Sequence, residues 1–192
     1  PDEGDEHIRT WMAFVASPSI WSRRQIPEVK RNLALIATTI AKYEPVSMLV
    51  APHDYDEAVT LLGGLNAHNY SVELIQCELD DFWLRDTGPT FVKGSNGDKY
   101  GIDFNFNVWG GKQTHKHDAK VARFIIQASG ALAKTTSVVL EGGCFEVDGA
   151  GTAIMTKSCI LNNNRNPHLS QADMENELCA LLGLRKIIWL DG

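Results

Sequence analysis

Long apolar runs are missing: nothing here approaches the roughly 18 to 20 residues that span a bilayer, so no membrane partner is expected. Clustered base is missing too. Eighteen Lys and Arg face 24 Asp and Glu, a formal net charge of −6, which argues against nucleic acid as a partner. That sign suits a cationic ligand, but net charge governs solubility and steering rather than a site. Cysteine is sparse and scattered. Cys77, Cys144, Cys159 and Cys179 form no CxxC pair, so neither a zinc site nor a disulfide framework is expected, and reduced thiols in a cytoplasmic protein are the default. His115 and His117 would share a face if extended, yet a solvated loop or helix start explains them more simply than a metal does. Gly110-Gly111-Lys112 has neither GxGxxG nor Walker spacing, so a nucleotide-binding reading has little support, and no cofactor is expected. The acidic opening Pro1-Asp2-Glu3-Gly4-Asp5-Glu6 lacks the apolar core of a signal peptide, though one already removed would leave no trace.

What remains is the composition of an ordinary globular chain, 192 residues with 44% hydrophobic and 22% charged, read as a single domain over 1–192. Strands and helices alternate. Residues 11–15 form a short apolar strand, and Pro27 opens an amphipathic helix through Val29, Leu33, Ile36, Ala37 and Ile40. A buried strand over 46–50 leads to a helix over 56–62 closed by Gly63-Gly64. The apolar strand 72–77 then reaches a polar turn, Trp83-Leu84-Arg85-Asp86-Thr87-Gly88-Pro89. Two strands, 90–93 and 99–106, flank the hairpin turn Gly94-Ser95-Asn96-Gly97-Asp98. Next come a helix over 118–128 with Val121, Phe124 and Ile125 on one face, a strand over 137–140, and a hairpin joining 145–147 to 152–156. Ser170 caps a helix over 171–182 with Asp173 in a capping box and Gly183 as its stop, and 186–190 is a last strand.

The order helix, strand, polar turn, hairpin occurs twice, with a unit of about 60 to 65 residues, the mark of an array of modules. In each copy an ionisable residue follows an apolar strand: Asp86 in one, Glu141 in the other. Strand ends are where α/β folds place their sites. A carboxylate can accept two parallel N–H bonds from a planar cation while an aromatic such as Trp83 covers its apolar plane. Two carboxylates around a common axis would make a cation site. The plain alternative for residues 83–89 is an exposed Arg-Asp pair in a braced turn.

Five motifs stand in order: Glu6-His7-Ile8-Arg9-Thr10-Trp11-Met12-Ala13, Trp83 to Pro89, Asn107-Val108-Trp109-Gly110-Gly111-Lys112, Leu140-Glu141-Gly142-Gly143 and Asn162-Asn163-Asn164-Arg165-Asn166-Pro167. Together they resemble the agmatine deiminase and Porphyromonas-type peptidylarginine deiminase family of guanidino-modifying enzymes. The resemblance implies the pentein, or α/β-propeller, fold, here about three of five modules in an incomplete propeller. It covers the whole chain and about the first half to three-fifths of a family member. It further implies hydrolysis of a guanidinium to a ureido group and ammonia through a thiouronium on cysteine. Asp86 and Glu141 would then hold the substrate's nitrogens, fixing its plane for attack. Trp83 would line the pocket, and Trp109 would either line it or pack in the core. Arg85 would brace the turn by pairing with a carbonyl or carboxylate. The Asn162–Pro167 run reads as a turn before a capped helix, since Asn tolerates left-handed backbone and caps amides. Cys144, beside Glu141 with no His near it, is not expected to be the nucleophile. Cys77 and Cys159 read as thiols in apolar strands, and Cys179 as a buried helix position.

Family members continue beyond the position of Gly192 with a His-x-Asp pair and a terminal nucleophilic Cys, and neither motif occurs in these 192 residues. Hydrolysis by this chain alone is therefore not expected, since losing base or nucleophile costs orders of magnitude in rate. The chain is a fragment, one half of an enzyme completed by a complementary C-terminal chain or a second copy, or a short paralogue acting as a guanidinium-binding or interaction module. No arginine stands in residues 107–111 to meet a substrate carboxylate, so agmatine fits better than peptidylarginine, with N-carbamoylputrescine as the product.

Overall fold

The computed structural model describes residues 2–63 and 69–192, in two compact units: 6–84, and 85–192 together with the opening residues through Asp5. Gly64, half of the expected glycine stop, lies outside the described residues.

In the first unit, β1 (Thr10–Phe14), β2 (Val46–Val50) and β3 (Val72–Gln76) form a parallel sheet in that order, with Thr10 opposite Val46 and Val46 opposite Val72. The central strand is buried at all five positions, as a parallel strand covered on both faces must be. β3, an edge strand, leaves its apolar Val72, Leu74 and Ile75 only half-buried and exposes Glu73 and Gln76. Helix α1 (Ile26–Ile40) begins with Pro27 in its first turn and lays Leu33, Ala34 and Ala37 on the core with Phe14, Met48 and Val50. α2 (Tyr55–Gly63) adds Ala58. Buried Lys30 of α1 donates through Nζ at 2.7 Å both to buried Asp54 Oδ1, in the turn leading into α2, and to Oε2 of half-exposed Glu57 in α2. Burial alone would lower the Lys30 pKa, but its bonds to the two carboxylates outweigh that and raise it.

The helical turn α3 (Leu84–Thr87) carries the chain across the boundary into the second unit, which holds two three-stranded sheets of one design. In one, β4 (Thr90–Lys93) and β5 (Lys99–Asp103) form the expected hairpin, and β6 (Leu132–Thr135) adds parallel to β5. In the other, β7 (Phe145–Val147) pairs antiparallel with β8 (Thr152–Thr156), and β9 (Lys186–Leu190) adds parallel to β8. The connections carry the single turn α4 (Val108–Gly111) and helix α5 (Val121–Ala128) in the first module. The second has the single turn α6 (Lys157–Ile160) and helix α7 (Gln171–Leu182). α7 closes on the Ser170–Asp173 capping box and ends at Gly183. Its Met174, Leu178 and Leu181 join Ile102, Leu140, Met155 and Ile160 in one core.

Two expectations are corrected. Residues 137–140 are not a strand. Leu140 N donates to Phe104 O at 3.0 Å, while Val139 pairs through both N–H and C=O with the Asn166 side chain at 3.0 and 2.9 Å. One buried side-chain amide thus replaces a strand neighbour, which satisfies the backbone without a ladder. The strand lies instead at β6, whose four side chains are all exposed. The repeat is real but its frame shifts: each module of this unit runs hairpin, helix, strand. Asp86 and Glu141 therefore fall in the segments that link one module to the next.

Candidate functional site

Glu141 is 2% exposed and ends the apolar segment through Leu140. Its carboxylate accepts from Arg165 Nε at 3.0 Å on both oxygens and from Cys144 Sγ at 2.7 Å on Oε2. Cys144 N in turn donates to Glu141 O at 2.9 Å, closing the one-turn 3₁₀ helix Gly142–Cys144 on a capping box. Arg165 also donates to Cys159 O at 3.4 Å, and its guanidinium is buried with the pair. Burial would lower the Arg165 pKa, yet the Glu141 carboxylate more than compensates and raises it. Burial pushes the Cys144 thiol up, and Glu141 pushes it further, so it stands protonated as the donor in that bond.

Asp86 sits in α3 against the Gly142-Gly143 turn. A Cβ built on Gly142 would collide with the Arg85 carbonyl oxygen, and one on Gly143 would lie 3.5 Å from Asp86 Oδ1. The glycine at 142 is thus what lets the turn carrying Asp86 approach Glu141. The Asp86 pKa is raised by burial first and by the nearby Glu141 charge second, against lowering by a hydrogen bond from Trp109 and by Arg85. Like charges brought together out of water have this effect.

Trp109 is held in an unusual backbone. Val108 and Trp109 take φ of 59° and 53°, and Gly110 takes 88°. A β-branched residue in that region is a strain of order 1–3 kcal/mol, of the kind that persists where surrounding structure imposes it. Here Asn107 imposes it: its side chain accepts from Gly110 N at 2.9 Å and donates to Asn164 O at 2.9 Å. The turn sets the Trp109 ring edge to face on Phe106 at 5.3 Å, close enough to Asp86 to act on its carboxyl, whose pKa it works to lower. Trp109 is half-buried and thus packs on Phe106 while also acting on the Asp86 carboxyl. Asp86, Glu141 and Trp109 are thus brought together.

Arg85, exposed, pairs with the Glu3 carboxylate. Trp83 closes the first unit, where it leans on Phe82, which stacks on Trp21 at 5.4 Å; its ring is 42% exposed. Three expectations about cysteine change: Cys159 lies in α6 rather than a strand, and Cys77 and Cys179 are half-buried. Among the described residues, one group could offer three close ligand atoms to a metal, Glu141, Cys144 and Cys159 within 4.8 Å. Arg165 donates to both carboxylate oxygens there and Cys144 to one of them, so the fold itself supplies hydrogen-bond partners to the Glu141 carboxylate. A cleft of about 420 Å³ lined by Asp103, Asn105, Arg123 and Lys134 lies elsewhere in this unit, its one carboxylate tied to Arg123 at 2.8 Å.

A family model of the Porphyromonas-type peptidyl-arginine deiminases matches residues 1–192. The chain belongs to that family. Among its relatives, agmatine deiminase of Pseudomonas aeruginosa (strain LESB58) is 40% identical over 196 residues, 99% of this chain and 52% of that protein. Agmatine deiminase of Ectopseudomonas mendocina (strain ymp) is 38% identical over 99% of this chain and 52% of its own. The solved structure of the Enterococcus faecalis agmatine deiminase matches with a TM-score of 0.90 at 30% identity, covering 100% of this chain and 52% of that one. This deiminase-family chain thus spans about half the length of the relatives it matches, and its modules are those of the pentein α/β-propeller. Arg165 and Cys159 are the neighbours of Glu141 that the family motifs alone did not assign, because each comes near it only through the fold, whereas Cys144 binds it across a single turn.

Proposed function

We propose that this chain supplies the substrate-gripping carboxylates of an agmatine deiminase-type amidine hydrolase. The observation that carries the reading is Asp86 packed against the Gly142-Gly143 turn that follows Glu141, with its pKa raised by burial and by the Glu141 charge. A guanidinium would relieve the repulsion between the carboxylates by donating its planar N–H groups to their oxygens. Held in plane, its central carbon would be open to a thiolate, with ammonia leaving and water releasing the ureido product. Asp86 and Glu141 would bind and orient. The nucleophilic Cys and the His-x-Asp base would come from a further polypeptide segment, whether of the same protein, a complementary chain or a second copy. The substrate would be agmatine, giving N-carbamoylputrescine. Arg165 spends its Nε on Glu141 and Arg85 pairs with Glu3, so neither supports recognition of a substrate carboxylate.

Calorimetric titration with agmatine tests the reading. Asp86→Asn is expected to weaken binding about 10- to 100-fold, the worth of a charged hydrogen-bonding partner. The pH dependence follows from sign. A carboxyl raised in the folded protein stays protonated above 3.8, so affinity should rise with pH through that raised value and become flat in Asp86→Asn. Equal affinity in both proteins, with the same pH profile, would refute the reading.

A further inference from the structure

The hairpin of β7 and β8 returns the chain so that two thiols meet beside Glu141. Cys144 precedes β7, Cys159 follows β8 in α6, and their Sγ atoms lie 3.3 Å apart. A disulfide bond is about 2.05 Å long, so closure asks for a movement of about 1.3 Å, within the reach of side-chain rotation and small backbone adjustment. Cys144 is buried and Cys159 half-buried, so the two residues differ in exposure to solvent. Arg165 Nη1 reaches the Cys159 carbonyl while its Nε holds Glu141, placing a fixed positive charge beside the pair. Neither thiol is assigned to hold the guanidinium itself, although Cys144 donates to Glu141, and a core packed for volume alone has no need of two thiols beside a carboxylate.

We propose that Cys144 and Cys159 are a redox modification site, a dithiol that a peroxide converts to a disulfide against Glu141. Cys159, the more exposed residue, reacts first. Its thiolate attacks one peroxide oxygen, the O–O bond breaks, and the departing hydroxide takes up the proton the thiol released, giving water and a sulfenic acid. Cys144 then attacks that sulfur. The S–S bond forms and the S–O bond breaks, while the Cys144 proton passes to Glu141 Oε2, which already accepts it at 2.7 Å, and on to the departing hydroxide as a second water. Two thiols and one hydrogen peroxide give one disulfide and two waters, with two electrons moving from sulfur to oxygen. A small-molecule dithiol reverses the change by exchange. The consequence is local: Glu141 loses its thiol donor and keeps Arg165. An effect on guanidinium binding rests on the function proposed above, whereas formation of the disulfide does not.

Peroxide treatment of the folded chain, followed by alkylation and peptide mass mapping, tests the site. The expected result is a single Cys144–Cys159 cross-link, reversed by dithiothreitol, with Cys77 and Cys179 still alkylated. Cys144→Ser should instead stop at a sulfenic acid on Cys159 that dimedone traps. Oxidation should also shift the Glu141 carboxyl carbon resonance, in the absence of any ligand. Dimedone adducts or higher oxides on wild-type Cys159 without the cross-link would overturn the proposal, as would a cross-link formed only in denaturant. Should the cross-link form while neither reduced nor oxidised protein binds agmatine, the modification site stands and the guanidinium reading falls.

Discussion

Arg165→Met is expected to destabilise the second unit by about 3 to 5 kcal/mol, measured by chemical denaturation. The magnitude follows from what is left behind. Glu141 is 2% exposed, and Arg165 supplies the one full positive charge bonded to its oxygens, while Cys144 offers a weak donor. Removing the cation leaves a carboxylate out of water with a thiol for company, and such a group is costly until it takes up a proton. The double variant Arg165→Met/Glu141→Gln should recover much of the loss, because the pair is coupled and the amide carries no charge to strand. A single-variant loss below about 1 kcal/mol would mean that Glu141 reaches water through a route the folded unit does not display.

Lys30→Met should have a similar effect in the first unit, again about 3 to 5 kcal/mol. Lys30 is 6% exposed and Asp54 5%, and their contact at 2.7 Å joins α1 to the turn leading into α2. The Met side chain replaces the aliphatic stem but not the charge, so Asp54 loses its cation, and its other oxygen has no hydrogen-bond partner among the described residues. The pH dependence sharpens the test. With the folded pKa raised above 10.5, the Lys30 contribution is complete below 10.5 and disappears as pH rises through the folded value. Wild type should therefore lose an alkaline increment of stability that Lys30→Met lacks from the outset.

Features fixed by local chemistry were readable in the chain. Helix α7 follows from Ser170, Asp173 and Gly183, since a cap and a stop act within one turn. The hairpins follow from Gly94–Asp98 and Asp148–Gly151. Asp86 and Glu141 were legible as carboxylates just past apolar segments. β6 was not, because a strand exposed at all four positions has no hydrophobic alternation to betray it. Residues 137–140 carried that apolar signal, but Asn166, far along the chain, takes the place of a strand partner. Arg165 was hidden for the same reason. Its partner lies 24 residues away, and the Asn-rich turn around it needed no function to explain it. The strained backbone at Val108 and Trp109 is likewise a product of tertiary contacts, through Asn107 and Asn164.

The central claim is that Asp86 and Glu141 together grip a guanidinium, and carboxyl-carbon NMR of the labelled chain during titration with agmatine tests it most directly. Weak binding remains visible by this method, so an incomplete pocket does not hide it. The Asp86 and Glu141 resonances should move on one saturating curve, with the Asp86 pKa falling as the cation binds, while exposed Glu146 and Asp98 show only the shallow drift of non-specific ions. If Asp86 and Glu141 move no more than Glu146 and Asp98 at any agmatine concentration, the two carboxylates are not a guanidinium site.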